Sequence, residues 1–330
     1  MSRKTRKLKN KLLVPFEWIG IVLALCVVPW LPRRAMFGLC DVLSMILYAC
    51  DRRGRRFALE NLRIASGRRK DRGAVVVFDP DTATYDPTRA EAKVIRRTYC
   101  NMSRTVGYAF WTCFRAKERC SATGIMGEEG KRFLAVNKPA VTVSGHIGCW
   151  EILSQLAFLE GHSMMSVAKD IGTGGMTALL MRARRSIGQE IVPAEGAFKP
   201  LMQGIKDGKS LGLLVDQSVS PKRGGLWVRF LGFPMAVSAA PAFFAAKGKA
   251  PIVVAWSRPL KDGRYRCEVV DTITPDEARD VWGTTQRITR DIERIVRRHP
   301  SCWVLNYNFF SNLPTPDDYR SLTEREAKAK

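Results

Sequence analysis

The chain has 330 residues, enough for one large core or two modest ones, and an ordinary apolar fraction of 46%. Its 54 Lys and Arg against 31 Asp and Glu give a formal charge of +23, which calls for an acidic partner such as nucleic acid, anionic lipid or an acidic carrier protein. Nine cysteines without a C-x-x-C pair, and only three histidines, argue against a zinc site and for a reducing compartment.

Arg3, Lys4, Arg6, Lys7, Lys9 and Lys11 precede an apolar stretch over 12–31, interrupted by Pro15, Glu17 and Pro29. It is about long enough to span a bilayer, and without a small-residue cleavage site it reads as a retained anchor rather than a signal peptide. Basic residues at both ends give no orientation. Glu17 and the prolines leave open a helix that dips into one leaflet, and a buried core helix is the third reading. Residues 33–65 read as helical, a wide apolar surface (Met36 to Tyr48) followed by Arg52, Arg53, Arg55 and Arg56, a pairing suited to anionic headgroups. Residues 1–65 therefore form a basic tail, an anchor helix and amphipathic helices. Residues 66–90 read as a surface insertion with a short strand at 74–78 and a turn at 79–81. A helix is expected over 91–119 and another over 127–136.

Residues 141–151 read Val-Thr-Val-Ser-Gly-His-Ile-Gly-Cys-Trp-Glu. The β-branched run predicts a buried strand that breaks at Ser144-Gly145, and a helix follows from Glu151, closed by Gly161. His146 then lies at the carboxyl end of a strand, where open α/β sheets bind ligands. Five residues of separation let Glu151 reach back to the imidazole, a general base with an orienting carboxylate. Gly145 and Gly148 permit close approach of backbone and substrate. The bland alternative is a strand-end histidine satisfied by nearby backbone. Cys149 reads as a packing residue rather than a nucleophile.

Further strands are expected at 163–169, with Lys169 at its carboxyl end, at 190–193, at 211–217, ending in Asp216-Gln217, and at 252–256, with an edge strand at 265–270. Helices are expected over 176–187 (bearing Arg182, Arg184 and Arg185), 198–206 and 282–298. The alternation predicts an α/β fold, a largely parallel central sheet flanked by helices. That domain spans 91–315 and leaves a charged tail at 316–330. Gly208-Lys209-Ser210-Leu211-Gly212 imitates a nucleophile elbow, but its order is helix, turn, strand, so Ser210 reads as a turn residue. No basic stripe interleaved with aromatics supports nucleic-acid binding.

Gly145-His146 with Glu151, Lys169, Arg185-Ser186-Ile187-Gly188, Asp216-Gln217, Phe230-Leu231-Gly232 and Ala250-Pro251-Ile252-Val253, in that order, resemble the bacterial lipid A biosynthesis acyltransferases, the lauroyl/myristoyl branch of the lysophospholipid acyltransferase superfamily. The resemblance implies an enzyme on the cytoplasmic face of the inner membrane. Its acyl donor would be acyl carrier protein and its acceptor a hydroxyl of a lipid A precursor or related glycolipid. His146 would be the general base and Glu151 its support, with an oxyanion met by amides near Gly148 or by a basic side chain. Lys169, Arg182 and Arg185 would contact phosphates, Asp216 would hold an arginine or the acceptor sugar, and Gln217 would line the substrate site. No metal or cofactor is implied beyond the carrier thioester. Two departures bear on the acceptor: the insertion at 66–90, and the stretch from Trp303 to Phe310, which lacks the arginines usual in the family, so that Asn306 or Asn308 takes over a polar contact or the acceptor differs. Two alternatives remain, a glycerophospholipid or aminolipid acyltransferase of the same superfamily and a non-catalytic basic protein of the membrane surface.

Overall fold

Pro29 and Pro32 stop the first apolar helix. In the computed structural model, which describes residues 18–69, 78–168, 178, 181, 182, 184, 185 and 188–328, residues 18–27 are helical and a tight turn at Val28–Trp30 leads into α1 (Arg33–Cys50). The bend is tied to the body of the protein. Trp111 Nε1 donates to the Leu31 carbonyl at 2.9 Å, the Arg119 guanidinium to the carbonyls of Pro29 and Trp111, and Arg33 to those of Ala122 and Asp262. No helix among the described residues is long and apolar enough to cross a membrane.

The helical region expected over 33–65 consists of two helices. Asp51 ends α1 and caps α2 (Arg52–Ala65), accepting from the Gly54 N–H at 2.8 Å and from the Tyr99 hydroxyl at 2.8 Å. Helix α3 (Arg89–Thr112) opens with a capping box of Thr88 and Glu91. It stops short of 119, and α4 (Ala116–Thr123) follows. Residues 80–82 form the expected turn. Most of the strand expected at 74–78 lies outside the described residues.

The rest of the chain alternates: β1 (Gly124–Met126), α5 (Glu128–Val136), β2 (Val141–Ser144), α6 (Glu151–Leu159), β3 (Met164–Ala168), helical residues at 178, 181, 182, 184 and 185, β4 (Glu190–Pro193), α7 (Phe198–Lys206) and β5 (Ser210–Leu214). A hairpin of β6 (Gly225–Phe230) and β7 (Phe233–Ser238) leads to α8 (Ala240–Gly248), β8 (Ile252–Pro259), β9 (Tyr265–Ile273), α9 (Val281–Arg298) and α10 (Pro316–Lys328). Seven strands form one sheet in the order β1-β9-β8-β2-β5-β3-β4, parallel throughout except where β8 meets β9. The fold is therefore the mixed α/β architecture that the alternation predicts. Strand β9 is not at the edge, because the three-residue β1 pairs outside it. The β6–β7 hairpin was not foreseen; it turns on Leu231 (φ 55°) and Gly232 (φ 91°), the positive-φ pair that a two-residue hairpin loop needs.

The inner strands are apolar on both faces because both are covered. One cluster joins Val141, Val143, Leu211, Ile252, Phe230 and Trp303; the other joins Cys149, Ile152, Leu156, Met164, Tyr108 and Tyr265. Strand β2 lies between β8 and β5. Its register pairs Ser144 with Leu214, and the Val215 N–H donates to the Ser144 carbonyl at 3.0 Å. The residues just beyond the two carboxyl ends, His146 and Asp216, therefore emerge side by side.

Candidate active site

Asp216 is buried against the loop that follows β2. One carboxylate oxygen contacts His146 Nδ1 at 2.7 Å; the other accepts the His146 backbone N–H at 2.8 Å and Trp303 Nε1–H at 2.9 Å. Its side chain is fully buried, while that of His146 is 22% exposed. Burial by itself raises the Asp216 pKa, but the imidazole charge and the hydrogen bonds from His146 and Trp303 outweigh it and hold the carboxyl below its usual range. An ionised carboxylate at Nδ1 selects the tautomer with the proton on Nδ1 and leaves the lone pair on Nε2. Nε2 has no hydrogen-bond partner among the described residues. The ring edge packs against Trp150, centroids 5.1 Å apart.

Two glycines make this geometry possible. A Cβ on Gly145 would lie 3.1 Å from the Asp216 carboxyl. Gly148 has φ +66°, and a Cβ there would lie 1.9 Å from the Ser257 carbonyl oxygen. The Gly148 N–H donates to the Cys302 carbonyl at 2.9 Å, and its own carbonyl accepts from Thr105 Oγ1 at 3.1 Å. The Gly148 amide itself is engaged, so of the amides expected near Gly148 to meet an oxyanion this one is taken.

The expected partner of His146 is also corrected. Glu151 does not hold the imidazole. Its carboxylate forms a two-pronged ion pair with Arg184, Nε to Oε2 at 2.9 Å and Nη2 to Oε1 at 2.6 Å, with both side chains largely buried. The turn at Gly148 puts Glu151 in the first turn of α6, where it anchors the helical residue Arg184. Asp216 correspondingly holds neither an arginine nor open space for a sugar, since both of its oxygens are occupied.

Arg182 stacks over Phe114, 5.5 Å from the ring centroid; Arg185 is exposed and Gln217 half-buried. Lys169 lies outside the described residues. Cys149 is buried, and burial, reinforced by the nearby Glu151 charge, drives its thiol pKa far up, so it is no nucleophile. Ser210 begins a strand rather than a turn. Its hydroxyl lies 2.8 Å from His162 Nδ1 and accepts the Ala140 N–H at 3.0 Å. This Ser–His pair is buried at the amino ends of the strands, away from His146, and ties the strand starts together. Trp303 was read only as a landmark, and Asp216 as a holder of an arginine or the acceptor sugar rather than as the partner of His146. Both strand ends carry a titratable residue just past an apolar run, but their pairing depends on β5 lying beside β2.

The model of the bacterial lipid A biosynthesis acyltransferase family matches residues 84–310, which include the whole sheet, His146, Asp216 and Trp303. The chain belongs to that family. It is an acyltransferase of the lipid A type. No significant match is found among curated proteins. The helices from 18 to 65 lie outside the matched region.

Proposed function

We propose that the protein transfers a fatty acyl chain from acyl carrier protein to a hydroxyl of a phosphorylated glycolipid, with His146 as general base and Asp216 as the group that orients it. The observation that carries this reading is the imidazole held at Nδ1 by a buried, ionised carboxylate with Nε2 left open. His146 Nε2 takes the proton of the acceptor hydroxyl as its oxygen attacks the thioester carbonyl carbon. A tetrahedral oxyanion forms and collapses, the carbon–sulfur bond breaks, and the imidazolium returns its proton to the departing carrier thiolate. The amide groups of Trp150 and Glu151 open α6 and have no acceptor among the described residues, so they are the donors available to the oxyanion. All bond changes are accounted for by donor, acceptor and imidazole, without a cofactor.

The excess of basic residues suits both an acidic carrier and a phosphorylated acceptor. A membrane seat on the cytoplasmic face of the inner membrane fits the outer faces of residues 18–27 and α1. Trp18, Ile19, Val22, Leu23, Trp30, Val42 and Ile46 are all exposed there, Trp30 by 73%, beside the arginines of α2, a pattern suited to lying in an anionic interface.

The test is incubation of the purified protein with carrier protein charged with labelled fatty acid and a bacterial lipid extract, comparing wild type with His146→Ala. Label in a phosphorylated glycolipid, lost in the folded variant, is the expected result. Label in a glycerolipid keeps the mechanism and changes the acceptor. No label in any lipid with donors of several lengths refutes the reading.

A further inference from the structure

A cleft of about 340 Å³ opens between two walls, Asp51, Arg53, Gly54 and Phe57 on one side and Asn306, Tyr307 and Asn308 on the other. We infer that this cleft binds the phosphorylated sugar headgroup of the acceptor and that Arg53 and Asn306 recognise it; the inference rests on the acyl-transfer reading above.

The volume is at the small end of ligand pockets, the size range of a monosaccharide and its phosphate. The two walls are joined rigidly, because Asn61 on α2 donates to the carbonyls of Leu305 and Tyr307 at 2.7 and 2.8 Å. Asn306 lines the cleft while its Oδ1 is turned inward, buried with no partner among the described residues; native proteins seldom leave such an atom unsatisfied, and a turn of the side chain toward the cleft would let a ligand complete it. A sugar hydroxyl is a donor of the right kind. The closest carboxylate to Arg53 is that of Asp81 at 3.7 Å, and the two side chains are 64% and 70% exposed. Such a pair is weak, so the guanidinium can turn to a phosphate and grip it in the two-pronged manner arginine favours. Asp51 does not compete for a sugar hydroxyl through free oxygens, since Gly54 N–H and Tyr99 OH occupy one each.

The location links the membrane side to the chemistry. The Val304 N–H donates to the His146 carbonyl at 3.2 Å. Asn306 is two residues farther on, so the cleft begins on the order of 10 Å from the catalytic loop. At its other end Asp51 terminates α1, whose outer face is apolar and exposed. A lipid with its chains against α1 would present its headgroup at Arg53 and extend a hydroxyl toward His146. Arg53 and Phe57 lie outside the family-matched region, so this wall belongs to the chain's own N-terminal helices.

The experiment titrates the full chain, in a zwitterionic and sugar-free detergent, with glucose 1-phosphate, glucose and inorganic phosphate, followed by calorimetry. Glucose 1-phosphate is expected to bind at least tenfold more tightly than either fragment. Arg53→Ala and Asn306→Leu should each weaken it about tenfold, Arg53→Lys should recover part of the loss, and His146→Ala should leave binding unchanged. Equal binding of phosphate and glucose 1-phosphate would reduce the cleft to an anion site and overturn the assignment, as would unchanged affinity in both Arg53→Ala and Asn306→Leu. In turnover, Arg53→Ala should raise KM for the glycolipid about tenfold with kcat and the KM for the acyl donor unchanged. The calorimetry does not depend on turnover. Binding that follows the predicted pattern in a protein that transfers no acyl group would sink the catalytic reading and keep the cleft; transfer to a glycolipid with no such binding would do the reverse.

Discussion

Replacing Asp216 with Asn separates the two carboxylates that could serve His146. Asp216 accepts three hydrogen bonds, from His146 Nδ1, the His146 N–H and Trp303 Nε1. Asparagine has nearly the same shape but one acceptor oxygen and an NH2. With the oxygen on the side of the His146 N–H and Trp303 donors, the NH2 faces Nδ1. The imidazole must then offer its lone pair at Nδ1, and the proton moves to Nε2, where it blocks base catalysis. The expected loss in kcat is on the order of 10³–10⁴, about 4–5.5 kcal/mol of transition-state stabilisation at ~1.4 kcal/mol per tenfold. The assay is steady-state transfer from labelled acyl carrier thioester, with thermal unfolding to show that the variant folds. The carboxyl is held below its ordinary 3.8, so its contribution to stability is present above that pH and lost as pH falls through the lower folded value; in Asp216→Asn this acid-side loss should disappear. A folded Asp216→Asn protein that keeps more than about a tenth of wild-type kcat, well outside the loss expected of a displaced base, would refute the assignment. So would a larger kcat loss in an equally folded Glu151→Gln.

Glu151→Gln should instead act on stability, because it leaves the largely buried Arg184 unpaired, a change that typically costs about 3–5 kcal/mol; chemical denaturation checks this, and Glu151→Gln combined with Arg184→Met should regain most of the loss. Gly148→Ala should destabilise strongly and abolish transfer, since the new Cβ would lie 1.9 Å from the Ser257 carbonyl at φ +66°; thermal melts of the purified variant test it. Asp291, on α9, faces Asp271, and burial followed by that neighbour lifts its pKa from 3.8 to about 6. A raised carboxyl stabilises the fold when protonated, so this contribution is present below the ordinary value and lost as pH rises through about 6. Denaturant midpoints measured from pH 4 to 7 should show the decline, and Asp291→Asn should flatten it.

The strand-helix alternation and the Gly-His break could be read from residue order because they rest on local rules: β-branched runs make buried strands, glycines end elements, and Glu151 opens a helix where its charge suits the N-terminus. The bounds of β4, α6 and α7 follow directly from such patterns. Strand β1, with three residues, is too short to carry a period, and the β6–β7 hairpin turns on Leu-Gly rather than the usual Asn-Gly or Asp-Gly. His146 was legible as a candidate base because a titratable residue at a strand's carboxyl end is a local feature. Its partner was not. Glu151 is five residues away and Asp216 seventy, yet the nearer carboxylate is claimed by Arg184 and the farther one reaches Nδ1. Chain order places Glu151 close along the backbone, but the positive-φ turn at Gly148 sends it to another neighbour. Composition, the basic balance and the strand-end histidine were therefore determined by the sequence alone. Which carboxylate orients that histidine, and that Trp303 caps it, was decided only when β5 took its place beside β2, because hydrogen-bond geometry depends on neighbours in space.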